Sequence, residues 1–469
     1  MILAIILVSY FMIVLDNSIV FTGLASIRED LGFSSTGLSW VQNAYALVFG
    51  GLLLLGARAG DILGRRRMFV AGLVIFSLAS LAIGLAPSGG WMLGARAVQG
   101  IGSAILAPTS LALLAATFPE GPERTRAVAG YGSVAGLGAS FGLVLGGVLA
   151  DLLSWRVGFL INVPIGIVLL VLALRFVPAG ERSTGRFDIG GAITSTVGMT
   201  LLVYAITRTA GTGWGDPLSL VLLGAGAVIL ALFVFIEWKA TQPVLPLRVF
   251  ANRVRTGAFA ARLLFAGAMF GYFFFISQYM QVTLGFSPLQ AGLGFLPMSL
   301  VQFAVAVNVP RFTRRFGNTA LLTAGLIITT IGMIWLSRVD AQSTYWAAVA
   351  LPMTLLGLGQ GLGFAPLTAA GITAIEPQDA GAASGLVNVA HQLGGALGVS
   401  IMVAVAASGN TSNTPAGMAA QTMDGTTTGA VLLALAIIAA LVLVIPGARA
   451  LNTSPRSTPA DTTTPTNAA

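Results

Sequence analysis

Residues 2–24 read ILAIILVSYFMIVLDNSIVFTGL, twenty-three positions with a single charged side chain, Asp16. A helix rises 1.5 Å per residue, so about 20 apolar residues cross the roughly 30 Å of bilayer hydrocarbon. No basic leader precedes this run, and the apolar core of a cleaved signal peptide would not hold an aspartate, so a retained first span is expected. The same pattern recurs near 38–57, 68–87, 91–116, 127–150, 157–174, 189–207, 218–237, 256–281, 289–310, 319–337, 345–371, 380–407 and 428–446. An all-α membrane protein of about fourteen spans is expected.

Composition agrees. Of 469 residues 56% are hydrophobic and only 9% charged, against about 25% charged in a soluble domain. The absence of cysteine and the single histidine, His391, remove most metal and thiol chemistry, and neither a metal nor a cofactor is expected. Lys239 is the only lysine among 24 basic residues, a usage expected of a GC-rich genome such as an actinobacterium's. The net charge of +8 has a topological explanation, because cytoplasmic loops retain Lys and Arg. With the N-terminus inside, eighteen basic residues fall in cytoplasmic connections and the tail. Only Arg28, Arg156, Arg208 and Arg338 fall outside, while Arg96 and Arg262 lie within spans. Both termini are therefore expected in the cytoplasm of a multi-pass plasma-membrane protein, and a nucleic-acid partner is not.

The chain carries a faint internal copy. Gln99-Gly100-Ile101-Gly102 with Ala107-Pro108-Thr109 in the fourth span is echoed by Gln360-Gly361-Leu362-Gly363 with Ala365-Pro366-Leu367-Thr368 in the twelfth. The arginine-rich turn Gly64–Arg67 is echoed at Arg311–Gly317. Both offsets are eight spans, as two six-span bundles separated by an inserted helical pair would give. The expected units are 1–175, an inserted pair at 188–238, and 256–447, with polar linkers at 175–188 and 238–256. The Thr/Pro-rich tail 452–469 is expected to be disordered, and 408–427 to be a polar outer loop.

These residues resemble the major facilitator superfamily, specifically its fourteen-span drug:proton antiporter branch. Leu15-Asp16-Asn17-Ser18-Ile19-Val20 is similar to that branch's first-span motif Leu-Asp-x-Thr-Ile-Val, and Trp40 and Tyr45 stand where its second span has them. Arg96-Ala97-Val98-Gln99-Gly100 matches its Arg-x-x-Gln-Gly. Trp155-Arg156 with Phe159, Asn162, Pro164 and Gly166 resembles its fifth-to-sixth connection. Gly381–Leu386 with Gln392-Leu393-Gly394-Gly395 resembles its thirteenth span. The loop signature Gly-x-Leu-Ala-Asp-Arg-x-Gly-Arg-Arg keeps Asp61, Gly64, Arg65 and Arg66 but has Ala57 for the first glycine and Ile62 for the arginine. The fifth-span signature keeps Gly138, Gly142, Gly146 and Gly147 but has Leu143 for the proline, so the expected kink is absent from the pattern.

Asp16 is the first functional candidate, because an unpaired carboxylate inside a span costs about 2.5–3.5 kcal/mol on insertion scales and must find a proton or a partner. Arg96 is a fixed positive group that could be that partner, and the resemblance implicates it in proton coupling. The alternatives are a structural acid and an arginine snorkelling to the outer interface. His391 is either a third proton-coupling residue or a helix–helix hydrogen-bonding one. The resemblance makes Asp61, Gly64, Arg65 and Arg66 a conformational latch between bundles. Candidates for a substrate pocket are Asn17, Tyr45, Gln99, Arg262, Gln278, Gln281, Gln360, Asn388 and Gln392. The aromatic stretch Phe270–Tyr279 could line that pocket or face lipid.

No Gly-x-x-x-x-Gly-Lys-Ser/Thr loop is present, so ATP is not the evident energy source. At ~150 mV one proton sustains a neutral gradient of a few hundredfold. The resemblance implies export of drugs or other small amphiphiles in exchange for protons by alternating access, by a monomer that is not an enzyme. An importer or facilitator on the same fold, and a non-transporting membrane sensor, are the competing readings.

Overall fold

The computed structural model describes residues 1–34, 36–118, 122–178, 187–243, 245–376, 379–409, 412 and 414–448. Fourteen helices follow in order: α1 (Ile2–Leu31), α2 (Ser39–Leu63), α3 (Arg65–Gly84), α4 (Gly89–Thr117), α5 (Pro122–Leu152), α6 (Trp155–Phe176), α7 (Ile189–Thr212) and α8 (Pro217–Lys239). Then come α9 (Arg253–Thr283), α10 (Pro288–Phe316), α11 (Asn318–Leu336), α12 (Tyr345–Gly371), α13 (Ala380–Gly409) and α14 (Pro415–Ala448). Among the described residues no strand occurs. Thirteen of these helices are long and apolar enough to cross a membrane, and α5 carries a shorter apolar stretch, Gly138–Leu152. The tail at 452–469, with Arg456, and the linker arginines Arg182 and Arg186 lie outside the described residues, as does Arg449.

Several boundaries differ from the hydropathy reading. The first helix runs on to Leu31, stopped by Gly32 at φ 68°. Its polar last turn is held because Asp30 accepts from the Trp155 indole at 3.0 Å and pairs with Arg156. The expected outer loop 408–427 is largely helix. Thr414 caps the N-terminus of α14 through the Gly417 N–H. Thr422, Thr426, Thr427 and Thr428 return their hydroxyls to carbonyls one turn back, which hides their polarity from lipid. Helix α6 is interrupted at Ile161, between Trp155–Leu160 and Asn162–Phe176, and α10 at Phe295, between Pro288–Gly294 and Leu296–Phe316. With leucine at 143, α5 runs without a break.

Glycine sets the packing. In α4 a β-carbon at Gly100 would lie 2.7 Å from the Tyr45 carbonyl of α2, and one at Gly102 would lie 2.7 Å from the Phe76 nitrogen of α3. In α12, Gly361 meets the Gln302 carbonyl of α10 at 2.9 Å, while Gly359 and Gly363 meet Gly325 of α11. The eight-helix offset of the sequence repeat thus reappears as equivalent packing. On α5, Gly138, Gly142 and Gly146 form a stripe against α1, and the next residue, Gly147, meets Pro288 of α10. Removing side chains lets backbones approach closely.

A β-carbon at Gly142 would sit 2.7 Å from Ser18 Cβ and 2.9 Å from the Leu15 carbonyl. Gly142→Val is therefore expected to destabilise the protein by about 1–3 kcal/mol or more, read as a lower unfolding temperature in detergent. Gly224→Ala on α8, where nothing lies within 4 Å, should leave that temperature unchanged or raise it. Equal effects at both sites would contradict the α1–α5 fit.

Helices α1–α6 and α9–α14 meet along a seam that is closed on the side away from the N-terminus. There Val20, Phe21 and Leu24 of α1 share one apolar core with Phe270, Phe274, Phe275 and Tyr279 of α9. Ser277 Oγ donates to the Phe21 carbonyl at 2.6 Å, Gln281 Nε2 donates to the Thr22 carbonyl at 3.2 Å, and Ser287 Oγ donates to Asp151 at 3.0 Å. The aromatic stretch of α9 therefore faces neither lipid nor an open pocket over most of its length; it is core. On the N-terminal side, the fully buried apolar residues around Ile5, Phe69, Phe76 and Leu114 all come from α1–α6. Contact across the seam there runs mainly through α2 and α13, where Gly50 abuts Gln392 and Leu393.

Candidate functional site

Asp16 lies midway along α1 and is completely buried, as is Arg96. Arg96 Nη1 donates to Asp16 Oδ2 at 2.9 Å, and Asp16 Oδ1 accepts from Gln99 Nε2 at 2.9 Å and from Asn162 Nδ2 at 2.7 Å. Ser80 Oγ accepts from Gln99 at 2.8 Å and donates to the Phe76 carbonyl at 2.8 Å. The guanidinium is fixed by three further contacts: the Val41 carbonyl at 3.0 Å, Gln99 Oε1 at 2.6 Å, and the Tyr45 ring face at 4.3 Å. Five helices thus contribute to one sealed network. Arg96 does not snorkel; its charge is spent on Asp16.

The spacing explains the arrangement. Gln99 follows Arg96 by three residues and shares its helix face, so both donors of α4 reach one carboxylate. The break at Ile161 places Asn162 in the first turn of the second half of α6, where its amide points inward. Three donors occupy the carboxylate, two on Oδ1 and one on Oδ2. Arg96 Nη2 and Asn162 Oδ1 have no partner among the described residues, which leaves the network able to rearrange.

The pocket candidates do not form one cluster. Tyr45 and Gln99 belong to the Asp16 network, Tyr45 donating to Ser103 at 2.9 Å. Asn17 accepts from Gln42 at 2.8 Å. Gln281 ties α9 to α1, Gln278 turns back on the Phe274 carbonyl, and Gln360 contacts Met298 Sδ at 3.6 Å. Asn388 is exposed and bonds to the Ser384 carbonyl, while Gln392 is buried at the α2 contact. Arg262 and His391 do come together, both against the Phe364 ring, with Phe270 packed edge-on against His391.

The latch residues straddle the α2–α3 turn, where Gly64 adopts φ 101°. Arg65 pairs with Asp61 at 3.4 Å and reaches the Ala112 carbonyl of α4, and Arg66 donates to the Leu174 carbonyl of α6. In this conformation their partners lie within α1–α6, whereas the expectation placed them between bundles. The side chain that reaches furthest is Arg58, which donates to Gln242 at 2.8 Å, in the segment after α8.

Sequence reasoning missed Ser80 as a partner of the network and cited Asn162 only as a motif residue. A polar side chain inside an apolar run was the available signal, but serine is too common in such runs to stand out. It also missed the node at which Asn43 of α2 donates to Ser400 of α13 at 2.8 Å while Thr207 of α7 approaches the same hydroxyl at 3.1 Å. Among the described residues no cluster of metal-ligating side chains occurs.

Two helical halves closed on one side around buried polar groups are the architecture of a membrane transporter. The sequence profile of the Major Facilitator Superfamily matches residues 6–399, and the chain belongs to that family. It is 41% identical over 437 residues to a cephamycin export protein of Amycolatopsis lactamdurans, covering 92% of this chain and 90% of that one. It is 39% identical to a puromycin resistance protein of Streptomyces alboniger, covering 91% and 86%. Among solved structures, a bacterial homologue of the lysosomal transporter Spinster, in an inward-facing and occupied conformation, superposes with a TM-score of 0.67 at 15% identity, over 95% and 96% of the two chains. That last likeness speaks for the fold alone.

Proposed function

We propose that this protein exports antibiotics or other small amphiphilic molecules from the cytoplasm in exchange for protons. The observation that carries this is the sealed Asp16–Arg96 pair in one half, beside a seam joined on the side away from the N-terminus. The names of the actinobacterial relatives, which are export and resistance proteins, support the direction. On this reading α1–α6 and α9–α14 rock about the midplane as two bundles, with α7–α8 an inserted pair and all fourteen helices spanning the plasma membrane. Both termini are cytoplasmic, the unit is a monomer, and the present conformation opens inward. Protonation of Asp16 releases Arg96 and favours the outward state, in which Asp61, Arg65 and Arg66 close against the opposite bundle.

The test is transport in everted membrane vesicles energised with an acid interior. A cephamycin should accumulate inside, and a protonophore should abolish the accumulation. Accumulation that persists with the protonophore present, or net movement in the opposite sense, would sink the proposal.

A further inference from the structure

Arg262 is a buried cation without an anion. It lies in α9, 3% exposed, with its guanidinium 3.8 Å from the Phe364 ring centre and one long contact, 3.5 Å, to Thr368 Oγ1. Its Nε has no partner among the described residues, and no carboxylate among them pairs with it. Asp16, the acid deepest in the other half, is committed to Arg96. Beside Arg262 stands a second unsatisfied group, His391 Nδ1, whose ring lies edge-on to Phe270 at 5.2 Å and to Phe364 at 6.0 Å. Across the seam the Tyr10 and Tyr131 rings stack at 3.9 Å and 12°, with Tyr10 in electrostatic reach of Arg262. Phe364 keeps 38% of its surface open, so the cluster is walled with aromatic rings and accessible on one side.

A guanidinium taken out of water needs a charged partner, and its Nε–Nη edge matches the two oxygens of a carboxylate. Aromatic faces suit a planar apolar body. From these observations we propose that Arg262 and His391 form the head-group site for an amphiphilic substrate bearing an oxyanion, the guanidinium binding it side-on and the imidazole Nδ1–H donating to it, while Phe270, Phe364, Tyr10 and Tyr131 hold the rest of the molecule. This deepens the export proposal and rests on it for the claim that the occupant is transported. His391 then recognises substrate and carries no coupling proton.

Binding without any gradient separates the two ideas. Purified protein in nanodiscs of neutral phosphatidylcholine would be titrated with the fluorescent acid 1-pyrenebutyrate and with its methyl ester, which has the same body and no charge. Wild type should bind the acid at least about tenfold more tightly. Arg262→Gln should erase that preference, Arg262→Lys should keep part of it, and Gly224→Ala on α8, where nothing lies within 4 Å, should leave it intact. Equal affinities of wild type for acid and ester would overturn the assignment, whatever the variants do. So would a preference that survives in Arg262→Gln. If Arg262→Gln does not fold, the same ratio measured in Arg262→Lys and His391→Ala decides: it must fall in both. Adding phosphatidylglycerol to the discs identifies the source of the oxyanion, a lipid head group if it displaces the acid and a free organic acid if it does not. Both results keep the oxyanion site. A protein that prefers the acid yet shows no proton-driven transport would retain this site and lose the export mechanism.

Discussion

Asp16→Asn, reconstituted with a pH gradient, is expected to lose uphill drug transport while retaining drug binding and passive exchange. At ~150 mV a coupled proton supports accumulation of a few hundredfold for a neutral substrate, and the ratio should fall to about one in the variant. The reason is geometric. Asp16 is the carboxylate that Arg96, Gln99 and Asn162 jointly address, and asparagine fills the same volume without exchanging a proton. Counterflow of labelled drug against unlabelled drug should continue, because that exchange needs alternation of the halves and not the proton. Uphill accumulation at the wild-type level would make Asp16 a structural acid and move the coupling site elsewhere.

Arg96→Ala carries the second large effect, and here stability is the readout. Cutting away the guanidinium leaves Asp16 charged, buried and without its counter-ion, a change worth about 3–5 kcal/mol. Thermal unfolding in detergent at neutral pH should register it as a markedly lower midpoint. Combining Arg96→Gln with Asp16→Asn removes both charges and keeps hydrogen-bonding groups of similar size. The double variant should therefore be more stable than Arg96→Ala, and less impaired than the sum of its two single changes. Additive losses would show that the two side chains do not act as one unit.

The helical architecture and the identity of the Asp16–Arg96 pair were legible because lipid enforces simple rules. Apolar length reports a span, and a charge inside one demands a partner. Gln99 was legible by its three-residue spacing from Arg96. Its neighbours were harder. Ser80 contributes one hydroxyl, and only the break at Ile161 aims Asn162 at Asp16; neither fact is local in sequence. The misread loop at 408–427 failed for a related reason. Thr422, Thr426 and Thr427 read as loop by polarity, yet each closes its hydroxyl onto the preceding turn and behaves inside α14 as a nearly apolar residue. The pocket candidates scattered because polar side chains in spans serve helix contacts at least as often as substrates, and spacing alone does not distinguish the two. Arg262 was separable from the rest only by its missing partner, which no sequence displays.

The α7–α8 pair looks peripheral. Only 11% of the apolar window of α8 is buried, and its outer face is an exposed wall of Leu, Val and Phe side chains. Yet α7 is pinned, through Thr207, to the hydroxyl at which α2 and α13 are joined. On the export reading proposed above, a helix pair with lipid on one flank and the α2–α13 contact on the other works as a mechanical gauge. On that reading, bilayer thickness and lateral pressure bear on α8 and pass through α7 to the contact between α2 and α13. The turnover of this protein should therefore vary with the acyl-chain length of the membrane around it, even though no lipid need enter the path of the drug.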